Sequence, residues 1–101
     1  MTAREMKKFQ VTIHFEMDDK FMSLVPSHRA WINALIEQGI IDQYVVSMES
    51  QQVWITLTAE NKTQIKNYIT QSPLFKYWTY AIDELFLFDG RHYRLPRLQP
   101  N

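Results

Sequence analysis

The 101-residue chain contains no cysteine, which excludes disulfides and thiolate chemistry. Its only glycines are Gly39 and Gly90, so no G-x-G-x-x-G, P-loop or G-x-S-x-G motif can be written. Neither sign of charge prevails. Eleven Lys and Arg balance eleven Asp and Glu, leaving no overall field to attract nucleic acid or an anionic membrane. No apolar run approaches the ~18 residues of a membrane helix. The stretch from Met1 to Lys8 lacks the apolar core of a signal peptide. His14, His28 and His92 show neither H-x-H nor H-x-x-x-H spacing, so no metal is expected, and no other cofactor. These absences predict a soluble, cytoplasmic protein with no nucleic-acid and no membrane partner.

What the chain does have is apolar surface. Apolar residues make up 46% of it, enough for one packed domain over residues 1–101. The core is expected over about 8–88, followed by a basic tail at 89–101. Three Trp, five Tyr and six Phe exceed what one small core needs, and a subunit interface is the natural place for the surplus.

From Phe9 to Glu16, apolar and polar residues alternate, as in a strand with one face buried. Asp18 and Asp19 suit a helix start. Leu24, His28, Trp31, Ile32, Leu35 and Ile36 recur at helical spacing. Pro26 requires that this helix begin near Ser23 to Pro26, or that a short turn before it be kinked. Gly39 can end the helix with positive φ. Ile41 to Met48 and Val53 to Leu57 read as strands joined by a polar connection. Thr58 is placed to cap a second helix, with Glu60 in its first turn and Ile65, Tyr68 and Ile69 on its apolar face. Ser72 to Trp78 turns the chain at Pro73, burying Leu74 and Phe75, and leads to a long last strand from Tyr77 to Phe88.

The order is β-α-β-β-α-β. It predicts an α+β, ferredoxin-like domain with a four-stranded antiparallel sheet and two helices on one face. The other face needs water or a partner. Trp54, one of Tyr44 and Val45, and one of Leu85 and Leu87 cannot all point at the helices. A homodimer packed sheet against sheet, a dimeric α+β barrel, resolves that conflict.

Pro73-Leu74-Phe75-Lys76-Tyr77, running on through Ile82-Asp83, resembles the muconolactone isomerase-like group of the dimeric α+β barrel superfamily. Phe9 to Phe15 matches that group's first strand, and Glu37-Gln38-Gly39 the end of its first helix. The resemblance implies a dimeric barrel and, as activity, isomerisation of a lactone by proton transfer. It supplies no full set of catalytic residues, and one scaffold serves many chemistries.

The residues themselves suggest where chemistry would lie. His14 falls on the polar side of the first strand, facing the space between paired sheets, where an imidazole can move a proton either way. Asp83 is assigned to the open face of the last strand with Thr79, Ala81, Leu85 and Leu87. Trp78, Tyr80, Ile82, Phe86 and Phe88 are assigned to the helix side. First and last strands are neighbours in this fold, so His14 and Asp83 are expected to meet as an acid-base pair. Thr12, Trp54 and Thr79 are expected to line the same cavity and bind a small organic molecule. The competing reading is a non-catalytic binding or assembly domain in which these are interface residues. His28 reads as a satisfied core histidine. Arg91, Arg94 and Arg97 read as an arm laid on a partner subunit in preference to an RNA contact.

Overall fold

A computed structural model of the protein describes residues 5–87. In chain order it contains β1 (Lys7–Phe15), α1 (Phe21–Glu37), β2 (Ile41–Ser47), β3 (Gln52–Ala59), α2 (Lys62–Ile69), one 3-10 turn (Phe75–Tyr77) and β4 (Trp78–Glu84). The strands form one antiparallel sheet in the order β2-β3-β1-β4. This is the expected ferredoxin-like βαββαβ arrangement. The tail at 89–101 and Phe88 lie outside the described residues, as do the expectations placed on them.

Alternation in β1 builds the core. Phe9, Val11, Ile13 and Phe15 are buried beneath the helices, and their partners across β3 are Leu57, Ile55 and Val53. From above, α1 adds Phe21, Ile32 and Leu35, and α2 adds Ile65 and Ile69. Both helices lie on this one side because the facing residues of β1 and β3 are apolar only there.

Several boundaries differ from the sequence reading. Helix α1 starts at Phe21 and runs through Pro26 without breaking. Proline removes one N–H donor, and its effect is least near a helix start, where few turns precede it. Asp18 shapes the approach: its carboxylate accepts from Lys20 N–H at 2.9 Å, and its carbonyl from Phe21 N–H at 3.2 Å. Thr58 does not cap α2. It belongs to β3, and Asn61 is the cap, its Oδ1 accepting from Gln64 N–H at 2.9 Å. The last strand stops at Glu84 and is preceded by the 3-10 turn, so Phe86 is fully exposed instead of facing the helices. Leu74 is buried as expected, whereas Phe75 is only half-buried.

Gly39 ends α1 as the sequence suggests, with φ +77°. Gly39 N–H reaches Ile36 O at 3.0 Å and Ile40 N–H reaches Leu35 O at 2.9 Å, the paired bonds of a Schellman motif. A Cβ at this position would meet nothing within 4 Å, so only the backbone resists a side chain. Gly39→Ala is therefore expected to destabilise the fold by about 1 kcal/mol. Urea unfolding measures this, and an unchanged midpoint would contradict the assignment.

Candidate functional site

The register fixes what the helix-free face presents. Thr79, His14, Gln52 and Ser47 form one rung across β4, β1, β3 and β2. Ala81, Thr12, Trp54 and Val45 form the next, and Asp83, Gln10, Thr56 and Gln43 the third. Thr12, His14, Trp54 and Thr79 thus share one face on adjacent rungs. Apolar character is confined to the central rung, where Val45 is 41% exposed and Trp54 half-buried. The aromatic surplus is spent elsewhere. Phe15, Phe21, Trp31, Phe75, Tyr77, Trp78 and Tyr80 pack ring against ring between α1, the 3-10 turn and β4.

His14 and Asp83 lie on the same face but do not meet within one chain. His14 stands opposite Thr79, and Asp83 opposite Gln10, four residues further along. At strand rise that separation is about 13 Å along the sheet. Asp83 is exposed. His14 accepts from the Gln52 amide, Nε2 to Nε2 at 3.3 Å, which leaves the ring proton on Nδ1. The imidazole borders an open cleft of about 420 Å³ shared with Glu16, Asp18, Lys76 and Thr79. One wall of the cleft is pinned by Tyr77 Oη donating to Asp18 Oδ1 at 2.8 Å. That bond holds the Asp18 carboxyl below its ordinary pKa. A partial loss of hydration, with the same bond, raises the Tyr77 phenol. The cleft is rich in proton carriers and open to water, so a dry reaction site there needs a cover.

Sequence reasoning missed one polar cluster and, at His28, read the satisfied core histidine but not its partners. At the sheet edge, Lys8 Nζ reaches Asp42 Oδ2 at 3.0 Å and Thr58 Oγ1 at 2.8 Å, and Thr58 donates to Asp42 at 2.8 Å. Placing Thr58 at a helix cap hid it. The second cluster lies on the helix side. Buried His28 has Nδ1 2.8 Å from Ser72 Oγ and Nε2 2.7 Å from Tyr44 Oη. Its ring also packs on Trp31 and Trp78. Burial, aided by the Arg29 charge, pushes its pKa down to about 4, so the ring is neutral at pH 7. A histidine on an apolar helix face was the available signal, since such a residue needs polar partners. Which residues those were depended on tertiary packing. Among the described residues, no three His, Asp or Glu side chains converge as a metal site would require. None of the described helices is long and apolar enough to cross a membrane.

No protein-family model matches the sequence, and no curated protein matches it either. Solved structures share its fold at very low identity. MtbAldR is 9% identical with a TM-score of 0.51, over 83% of this chain and 57% of its own. The chain thus spans little more than half of MtbAldR. The protein PA3566 from Pseudomonas aeruginosa is 9% identical with a TM-score of 0.51, over 87% of this chain and 100% of its own. What these likenesses share with the chain is the ferredoxin-like α+β fold.

Proposed function

We propose that the protein acts as a homodimer whose open sheet faces enclose a cavity for a small organic molecule. His14 is the acid-base group of that cavity, and Thr12, Trp54 and Thr79 line it. The observation that carries this reading is the clustering of those four side chains on adjacent rungs of the one face without helices. A two-fold axis along the central rung superposes the third rung of one copy on the first rung of the other. Asp83 of each copy then faces the Thr79–His14 rung of its mate, across the ~10 Å that separates packed sheets. The acid-base pair that one chain cannot form is completed by two. The helix-turn-strand element at Pro73 to Tyr77, which carries the resemblance to muconolactone isomerase-like proteins, supports cofactor-free isomerisation by proton transfer as the reaction. The polar rungs on either side of Trp54 suit a plain assembly interface as well, and that is the second reading.

Sedimentation velocity tests the assembly. The protein is expected to sediment as a dimer. Thr12→Arg, which sets two like charges against each other at the axis, is expected to weaken association on the order of a hundredfold. A monomeric parent, or a dimer that tolerates the arginine, would remove the basis of the proposal. In the intact dimer, His14→Ala retaining full turnover of a carbonyl substrate would leave only the assembly reading.

A further inference from the structure

A second concavity, of about 230 Å³, lies on the opposite side of the sheet from His14, between the first half of α1 and β2–β3. Its walls include Phe15, Phe21, Leu74 and Trp78, all buried, and the exposed Met22 and Met48 stand at its mouth. An apolar cavity of ~150 Å³ is enough to hold benzene. This one therefore has room for a single ring with a short substituent.

Ser72, His28 and Tyr44 form one hydrogen-bonded chain at the pocket. Ser72 Oγ accepts from Leu74 N–H at 3.0 Å and, with one proton and a second lone pair left, can donate to His28 Nδ1 or accept from it. When Ser72 donates, the neutral ring carries its hydrogen on Nε2 and gives it to Tyr44 Oη. Both imidazole nitrogens are occupied, and in that arrangement Tyr44 has its hydroxyl proton for an acceptor in the pocket it lines, which is the arrangement a bound carboxylate selects. Burial raises the Tyr44 pKa above its ordinary value, so the hydroxyl is a donor at neutral pH. Arg29 lines the same pocket, is exposed, and has no carboxylate partner among the described residues. An apolar slot thus ends in one neutral donor and one cation.

We infer that this pocket binds a small aromatic monocarboxylate, its ring against Phe21 and Trp78 and its carboxylate accepting from Tyr44 and paired with Arg29. The relay from Ser72 through His28 holds the Tyr44 oxygen in place before the ligand arrives, and preorganised donors lose less on binding. Methionines at the mouth suit a variable edge of the ring. The site is separate from the sheet face and does not depend on dimerisation.

Benzoate, with benzyl alcohol as its uncharged counterpart, is the probe. Protein NMR titration at pH 7 is expected to show saturable benzoate binding, with shifts centred on Trp78 and Tyr44. Benzyl alcohol is expected to bind about tenfold more weakly, and Tyr44→Phe to weaken benzoate by about tenfold, the loss of one charge-assisted hydrogen bond. Arg29→Gln, an exposed change that does not threaten folding, is expected to abolish the preference for benzoate over benzyl alcohol. Thr12→Arg is expected to leave benzoate binding intact, which separates this site from the sheet-face proposal. No saturable shift at millimolar benzoate would overturn the inference. So would shifts confined to the open sheet face, or an unchanged preference in Arg29→Gln.

Discussion

Between pH 7 and pH 4 the protein is expected to lose about 3 kcal/mol of stability through His28 alone. In the folded chain this imidazole binds a proton only near pH 4, against 6.5 for a free side chain. Across that window the unfolded chain takes up the proton and the folded chain does not. Stability from His28 is therefore complete above pH 6.5 and declines as the pH falls toward 4. The cause is burial against Trp31, Trp78 and Tyr44, with Arg29 as the nearby charge. Asp18 acts in a different window: its lowered carboxyl stabilises above 3.8 and its contribution is lost only below that. Urea unfolding at a series of pH values separates the two. His28→Leu is expected to be less stable at pH 7, because Ser72 and Tyr44 lose their partner, yet nearly flat from pH 6.5 to 5. An equally steep decline in that variant would show that another group is responsible.

How far the sequence reveals this molecule depends on the range of the interactions involved. Period-2 alternation in Phe9 to Glu16 is a local property, and it correctly separated the buried and open faces of β1. Gly39 is local too, because a helix that must end with positive φ leaves few other choices. The open-face placement of Thr79, Ala81 and Asp83 is local as well, because it follows from the pleat. Register does not follow from the pleat. Sliding β4 against β1 by two residues keeps every face and changes every partner, which is why Asp83 stands opposite Gln10 and not near His14. Helix caps failed for a related reason: Thr58 and Asn61 are both good caps, and the length of β3 decides between them. The His28 relay joins residues 44 and 16 positions apart, a separation no periodicity reports.

Phe9→Ala and Phe86→Ala remove the same atoms, and their costs are expected to differ by several kcal/mol. Phe9 is 1% exposed, faces the helices from a central strand, and pairs with Leu57 on one side. Its loss leaves a cavity between sheet and helices that strands hydrogen-bonded on both edges cannot easily close. That places the cost near the upper part of the range for such truncations, about 3–5 kcal/mol. Phe86 is 100% exposed in a bend after β4, so its ring has no burial to lose, and a change within about 0.5 kcal/mol is expected. The alternation that fits Trp78, Tyr80 and Ile82 would, if extended, have put Phe86 under the helices. It does not extend because β4 stops at Glu84, whose carboxylate lies 3.7 Å from Lys7 at the sheet edge. Equilibrium urea unfolding of the two variants decides the matter. Comparable losses in both would mean that β4 continues past Glu84 and carries Phe86 into the core.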